Sequence, residues 1–286
     1  MDLNISNGLS NIVCKIIDKI GDATGFYFNR ETPDKIAQKL FITEIEERID
    51  IPALEKAALI ANSKKIIKEY SNQINIVQTA IEHINEKANP DMVDEDWLSL
   101  FMDKARLVSK EDVQLVWGKL LADEFNCPNS VPKKLLLILE QMDRADAEDF
   151  VKICSFVVGI GENDPEYIPL ILESEFKDYY NVKGLTLDSL NELESLGLIK
   201  RKLMLWDNAH AVNNDKGIMN CSYYDEIINI PKEIKMIGVG NTLFTKAGLA
   251  LYKANSFERV DDFFEKICKP HFEKEISRRL KKSDDK

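Results

Sequence analysis

Apolar residues recur at the spacing of one helical face along most of the first half of the chain. The segment from Leu9 to Ile20 has this spacing, and its polar face lacks the lysine and arginine excess of a membrane-surface helix. We therefore expect a helix that packs into the core, rather than one that docks on a membrane or a partner. Thr32-Pro33-Asp34 predicts the start of a second helix that runs towards Arg48, because proline is favoured at the first helical position.

A third and longer helix is predicted from Asp50-Ile51-Pro52 to about Lys87. Its apolar residues repeat at the a and d positions of heptads, which is the pattern of a coiled coil. Ile66 and Ile76 widen this stripe, and a wider stripe equally suits the spine of an intramolecular bundle. Both interpretations, an oligomerisation seam and a core seam, stay open for the residues of the stripe. These are Ile60, Ile67, Tyr70, Ile74, Val77, Ile81 and Ile84.

The helical pattern continues beyond the long helix. One short helix is predicted with Trp97 and Phe101 on its apolar face, and another with Trp117. Further helices carry the pattern as far as Val158, and glycines and prolines then cluster from 159 to 169. We therefore place a domain boundary near that cluster.

The sequence after this boundary alternates helices with short strands. Thr186 predicts a helix cap, Gly197 predicts the end of that helix, and Thr245 predicts a later cap. A helix, a hairpin and a returning helix are the layout of a winged-helix domain. The strands are predicted at 198–206, 227–230 and 236–239, with a hairpin tip at 213–217.

The predicted fold class is therefore mainly α: a multi-helix bundle with a long heptad-patterned helix, followed by a C-terminal winged-helix-like α/β module. The predicted segments are an N-terminal amphipathic helix (1–31), a helical domain (32–160), the winged-helix-like domain (166–272) and a charged tail (273–286).

A group of four acidic residues and the single acid Glu124 raise the question of a functional site. Asp91, Asp94, Glu95 and Asp96 could supply oxygen ligands to a cation, but acids at a helix start also interact favourably with the helix dipole. Capping is the favoured interpretation, because the pattern of a calcium loop is missing. Glu124 ends an apolar helix beside a turn-rich loop, so we expect it to bond to that loop rather than to act as a catalytic acid.

The overall charge argues against binding to phosphate-rich partners. Lysine and arginine number 38 against 49 aspartate and glutamate residues, which gives a net charge of −11. The predicted helix before the hairpin also carries Asp188, Glu192 and Glu194 and no basic residue. Nucleic-acid binding is therefore the disfavoured alternative. It would have to use two basic clusters: Lys200, Arg201 and Lys202, and Arg278, Arg279, Lys281 and Lys282.

Several short motifs give the chain a family resemblance. In order they are Asp94-Glu95-Asp96-Trp97, the run from Val116 to Glu124, Pro128-Asn129-Ser130, the run from Asp146 to Phe150, Ser195-Leu196-Gly197-Leu198-Ile199 and Phe244-Thr245-Lys246-Ala247-Gly248. From about Ile74 to Lys253 the chain resembles the bacterial family known as domain of unknown function 2806. More distantly it is similar to the abortive-infection alpha proteins. The resemblance brings no catalytic residues, and it implies a role in defence against phage.

Motifs of catalysis and of cofactor binding are missing from the sequence. It has no P-loop, no nucleophile elbow and no complete dinucleotide fingerprint, and its three histidines form no zinc pattern. We expect no cofactor and no metal. The five cysteines are dispersed, and no apolar run is long enough to span a membrane, so reduced thiols in a cytoplasmic protein are expected.

The predicted function is that of a non-enzymatic regulatory or sensing protein in phage defence. It would form a homo-oligomer and bind a protein partner. The alternatives are a winged-helix nucleic-acid-binding protein and a toxin enzyme with an unrecognised site.

Overall fold

The computed structural model describes residues 7–28, 35–161, 165–201, 211–213, 219–234 and 236–284. The chain divides into two compact units, Met1–Glu140 and Gln141–Lys286. The division falls before the seventh helix rather than near residue 160, because that helix belongs with the strands that follow it. Its Phe150 ring lies 6.0 Å from Phe244 and 6.3 Å from Phe257, measured between ring centroids.

The described part of the first unit is helical. Its helices are α1 (Asn7–Thr24), α2 (Lys35–Glu47), α3 (Ala53–Glu82), α4 (Glu95–Ala105), α5 (Glu111–Asn126) and α6 (Lys133–Gln141), with a short 3-10 turn at Pro90–Met92. The apolar face predicted for α1 is buried, with Val13, Ile16 and Ile20 each at most 2% exposed. The prediction that α1 packs into the core is therefore confirmed. The cap predicted at Thr32 to Asp34 lies outside the described residues.

The core of this unit forms where α3, α4 and α5 meet. The indole ring of Trp97 stacks on Phe101, which in turn lies 5.1 Å from Trp117. On α5, Gly118 faces Thr79 of α3 so closely that an added Cβ would lie 2.5 Å from the Thr79 Cβ. A residue without a side chain is needed there because the two helices approach each other closely.

The second unit combines helices with small antiparallel sheets. In chain order its elements are α7 (Arg144–Cys154), β1 (Val157–Ile160), β2 (Glu166–Pro169), α8 (Leu187–Leu196), β3 (Ile199–Arg201), β4 (Ala211–Asn213), β5 (Met219–Tyr223), β6 (Glu226–Ile230), β7 (Met236–Gly238), β8 (Thr242–Phe244), α9 (Lys246–Lys253) and α10 (Lys269–Asp284), with short helical turns at Glu173–Glu175, Phe176–Tyr180 and Phe264–Cys268. The largest sheet has the strand order β2-β1-β5-β6, and two further sheets pair β3 with β8 and β4 with β7.

The local signals predicted in this unit are present. The Thr186 and Thr245 hydroxyl oxygens accept hydrogen bonds from the backbone N–H groups of Ser189 and Gly248, and so cap α8 and α9. Gly197 ends α8 with a φ of 81°, in the left-handed region that favours glycine.

One prediction for this half of the chain was wrong. The helical pattern does not continue to Val158: α7 ends at Cys154, and β1 pairs with both β2 and β5. The segment predicted as a charged tail, 273–286, lies in α10 as far as Asp284. Of the predicted strand 198–206, Ile199–Arg201 form β3, and residues 202–206 and most of the hairpin tip lie outside the described residues.

Candidate functional site

Helices α2 and α3 contact each other and are joined by residues 48–52, a connection of the length typical of a helical hairpin, and we call the pair the α2–α3 hairpin. The Lys56 ammonium donates a hydrogen bond to the Glu46 carbonyl oxygen at 2.9 Å across the end of the hairpin. Arg48 and Asp50 form an ion pair within the connection.

The burial of α3 changes along its length. From Ala53 to Ser71 the helix contains no buried residue, and its buried residues begin at Asn72. The heptad stripe is therefore divided. The seam residues Ile74, Val77, Ile81 and Ile84 belong to the core of the first unit.

The remaining seam residues are only half-buried. Ile60 and Ile67 are of this kind, and Tyr70 contacts the segment after α1. Its hydroxyl donates to the Tyr27 carbonyl oxygen at 2.7 Å, and its ring lies 5.4 Å from Phe26. The spine interpretation therefore holds for the second half of the stripe, and the first half is the part that a partner could still cover.

Large apolar side chains are exposed on the hairpin. They are Phe41, Ile49, Leu54, Leu59 and Ile66, and we call the side of α3 on which Leu59 and Ile66 lie the hairpin face. Their exposed fractions run from 39% for Leu59 to 97% for Ile49. Leu59 and Ile66 are one heptad apart and lie beside the half-buried seam residues, so the apolar stripe widens towards solvent.

Charges are unevenly distributed along the hairpin. Exposed acids lie near its connecting end, namely Glu44, Glu46, Glu47, Asp50 and Glu55. Exposed lysines lie further along α3, at Lys64, Lys65 and Lys68, and Lys39 lies in α2. The connecting end is thus mainly negative and the opposite segment is mainly positive.

Intramolecular carboxylates bind several residues of the predicted basic clusters. The Arg201 guanidinium pairs with the Glu194 carboxylate at 3.0 Å and also donates to the Asn191 side chain. In α10, Arg278 and Arg279 both pair with Glu275, at 3.3 and 3.6 Å. Lys200 and Lys281 are exposed, Lys202 lies outside the described residues, and Lys282 is known only as a backbone position in α10. Nucleic-acid binding by these residues stays a prediction.

The acids near the start of α4 bind neighbouring residues. The Asp94 carboxylate accepts the Trp97 backbone N–H at 2.7 Å and pairs with Lys133 at 2.9 Å, and these two partners lower its pKa. Glu95 pairs with Lys19 at 2.7 Å. Capping is therefore confirmed for Asp94. Among the described residues, no group of three or more histidine, cysteine, aspartate or glutamate side chains is arranged to hold a metal ion.

Glu124 is buried and binds the loop after α5. Its carboxylate accepts the backbone N–H of Asn129 at 2.7 Å and of Val131 at 2.9 Å. Burial raises the pKa of this carboxyl, and the backbone N–H groups oppose that shift only in part. The predicted bond between Glu124 and its loop is confirmed.

An aromatic pocket of about 350 Å³ lies in the second unit, and the sequence pattern did not indicate it. Its lining residues are Tyr167, Tyr224, Tyr252, Lys253, Asn255, Ser256 and Phe257. They come from β2, from the turn between β5 and β6, and from the end of α9 with the segment after it. The Tyr252 and Phe257 rings are parallel within 5°, with centroids 5.4 Å apart.

Comparison with known proteins gives one match. A family model described as "Protein of unknown function (DUF2806)" matches residues 61–268, which is well over half of the chain. No curated protein and no solved structure matches this chain. Of the helices in the described ranges, none has both the length and the apolar character that crossing a membrane requires.

Proposed function

The chain belongs to the DUF2806 family of proteins of unknown function, and we propose that it is a non-enzymatic regulatory or sensing protein that self-associates through its α2–α3 hairpin. The partner that covers the hairpin face is a second copy of this chain. This proposal rests on the change in burial along α3, whose buried residues begin only at Asn72. The first part of α3 buries nothing fully, although the apolar stripe, interrupted at Ser63, runs from it into the core-forming part.

The exposed apolar side chains support association because burying them is favourable. On the hairpin face, Leu59 and Ile66 are 39% and 55% exposed, so both have apolar surface left to bury. A second hairpin would both cover the face and hold the helices in place.

The charge distribution supports a symmetric pair of hairpins. In a two-fold arrangement each copy presents the same surface, so an antiparallel pair sets the negative connecting end of one hairpin against the positive segment of the other. Glu55 and Lys65 are examples of residues at these two ends, about 15 Å apart along α3 at 1.5 Å per residue. A parallel pair would instead bring like charges together.

For the C-terminal unit, we propose that it acts as a winged-helix-like module that contacts a protein partner. Its α8 carries Asp188, Glu192 and Glu194 and no lysine or arginine, which suits a protein surface better than a phosphate backbone. The motif resemblance to the abortive-infection alpha proteins supports a setting in defence of bacteria against phage.

Light scattering of the full chain over a range of concentrations tests self-association. We expect an oligomer for the wild type and a folded monomer for the Leu59→Asp, Ile66→Asp double variant, because both side chains are exposed within one copy. The matched control is Leu137→Asp in α6, where the leucine is 44% exposed. This control should keep the wild-type mass.

Two results would overturn the proposal. The first is a wild type that stays monomeric at every concentration. The second is a folded double variant that keeps the wild-type mass. Lys64→Glu, Lys65→Glu then tests the arrangement: it should weaken an antiparallel pair, and an unchanged association constant would exclude that arrangement.

A further inference from the structure

We propose that the aromatic pocket of the second unit binds a small ligand that carries a planar aromatic ring and an anionic group, which is the chemistry of a nucleoside monophosphate. The pocket involves no residue of the hairpin, so this inference does not rest on self-association.

The size and lining of the pocket suit such a ligand. Ligand pockets commonly measure from about 300 Å³ upwards and combine aromatic walls with a few polar groups. This one, at about 350 Å³, has four aromatic side chains among its lining residues. Stacking on tyrosine and phenylalanine is how proteins hold unpaired bases, and it tolerates different bases because each has a π-face.

The aromatic wall is held in place by a cluster behind it. Tyr252 stacks with Phe257 and Phe244, and Phe150 contacts both of these phenylalanines. The Tyr167 ring lies 5.2 Å from that of Tyr252, measured between ring centroids. A rigid platform of this kind loses little conformational freedom when a ring stacks on it.

Tyr224 is held towards the pocket at a conformational cost. It is the first residue of the two-residue turn between β5 and β6, and its φ of 54° is uncommon for a bulky side chain. Its hydroxyl donates to the Phe257 carbonyl oxygen at 2.7 Å, and its side chain stays 50% exposed. The bond connects two parts of the pocket wall and leaves the ring accessible.

Several polar groups of the pocket lining are available to form hydrogen bonds or ion pairs with a ligand. Within the described residues, the hydroxyls of Tyr167 and Tyr252 make no hydrogen bond, and the Lys253 ammonium forms no ion pair. The Asn255 amide nitrogen donates to the Leu251 carbonyl oxygen at 2.8 Å, which leaves its side-chain oxygen to accept from a ligand. The hydroxyls and the Asn255 oxygen can form hydrogen bonds with the edge of a base, and the Lys253 ammonium can pair with an anionic group.

Lys253 gives the lining its charge. Of the nearby acids, Asp225 and Glu226 are paired with Arg259, at 2.7 and 2.9 Å, whereas the exposed Glu258 follows Phe257 and acts electrostatically on Tyr224. Of the lining residues, Lys253 is the one with a charged side chain. A positive ammonium at an aromatic wall selects an anionic aromatic ligand over a cationic one.

Isothermal titration calorimetry of the full chain with AMP, GMP, CMP and UMP tests the proposal. We expect saturable binding of at least one of these nucleotides, weaker binding of its nucleoside and none of inorganic phosphate alone. Lys253→Gln should weaken nucleotide binding about tenfold and leave nucleoside binding nearly unchanged, because it removes a charged hydrogen bond to the anion. Tyr224→Ala should weaken the binding of both the nucleotide and the nucleoside.

Lys246→Gln is the matched control, since Lys246 is an exposed lysine at the other end of α9. It should bind like the wild type, and thermal unfolding should confirm that each variant is folded. No binding by any of the four nucleotides would overturn the proposal. Equal losses in Lys253→Gln and Lys246→Gln would do the same, and so would saturable binding of choline without binding of any nucleotide.

Discussion

Trp97 and Glu124 hold the two backbone groups of a single residue, Val131. The Trp97 indole N–H donates to the Val131 carbonyl oxygen at 2.8 Å, and the Glu124 carboxylate accepts the Val131 N–H at 2.9 Å. Trp97 belongs to α4 and Glu124 to α5, so the loop before α6 is fixed to both helices. The buried Trp97 and Glu124 side chains therefore have a structural role, which is to fix this loop.

We predict that Glu124→Ala destabilises the protein by about 1–3 kcal/mol. The Val131 N–H would lose its acceptor in a position where the residue is 2% exposed, whereas water can replace the bond at the exposed Asn129. Chemical denaturation measures the free energy of unfolding. Glu140→Ala, which removes a half-exposed carboxylate, is the control, and a Glu124→Ala variant as stable as that control would contradict the prediction.

The ionisation of Glu124 should make stability depend on pH. Burial raises the folded-state pKa of Glu124 above the unfolded value of about 4.3. The stability that this shift contributes is therefore complete below the unfolded pKa and is lost as the pH rises through the folded pKa. We expect the free energy of unfolding of the wild type to fall, relative to Glu124→Gln, as the pH rises from about 4 towards neutrality. A constant difference between the two proteins over this range would show that the pKa is not raised.

Trp117→Ala should destabilise by roughly 3–5 kcal/mol, the range for removing a large aromatic side chain from a core. Trp117 is 2% exposed and contacts Phe101, whose ring lies 5.1 Å away. Leu115→Ala on the same helix is the control: its leucine is 45% exposed, so the change should cost less than about 1 kcal/mol. Equal denaturation midpoints for the two variants would mean that Trp117 lies outside the core in solution.

Features that depend on neighbouring residues could be predicted from the sequence. The caps at Asp94, Thr186 and Thr245 are of this kind, because each bonds to a backbone N–H three residues further on. The heptad stripe predicted which face of α3 is apolar. It could not predict that Ile74 would meet the core while Ile60 stays half-buried, because the spacing of a helix says nothing about where its partners end.

Features that depend on distant pairing could not be predicted in the same way. Val157 continues the helical spacing of Phe150 and Ile153, and it lies in a strand because it pairs with Pro169 of β2. The aromatic pocket has the same origin, since Tyr167, Tyr224 and Tyr252 meet only when β2, the β5–β6 turn and α9 fold together. No local pattern marks such residues.

Asp262 should stabilise the second unit most strongly above acidic pH. The Tyr179 hydroxyl donates to its carboxylate at 2.7 Å, and Lys266 and Lys183 pair with it, so its pKa is held well below the ordinary value. A lowered folded-state pKa gives stability that is present above the unfolded value of about 3.9 and is lost as the pH falls through the folded pKa.

We therefore expect the Asp262→Asn variant to be less stable than the wild type at pH values above about 5, with a difference that shrinks as the pH falls below about 4. Thermal unfolding across this range measures the difference. Asp261→Asn is the control, because that neighbouring side chain is 99% exposed. If the two variants behaved alike, the bonds to Tyr179 and the lysines would contribute nothing to stability.

Duplex DNA binding, if it occurs, should be weak and insensitive to sequence. The acids of α8 repel phosphates, while Arg201, Arg278 and Arg279 already pair with intramolecular carboxylates. Fluorescence anisotropy with labelled duplexes of two unrelated sequences, at several salt concentrations, measures this. We expect any affinity to be similar for both duplexes and to fall steeply with added salt.

A variant in which Lys200, Arg201, Arg278 and Arg279 are replaced by glutamine shows whether that affinity comes from the basic clusters. We expect it to lose the salt-dependent affinity, because the remaining surface is mainly acidic. Tight binding that distinguishes the two duplexes and survives this replacement would refute the prediction. It would instead favour a winged-helix nucleic-acid-binding function for the second unit, because base contacts in a groove, unlike phosphate contacts, discriminate between sequences.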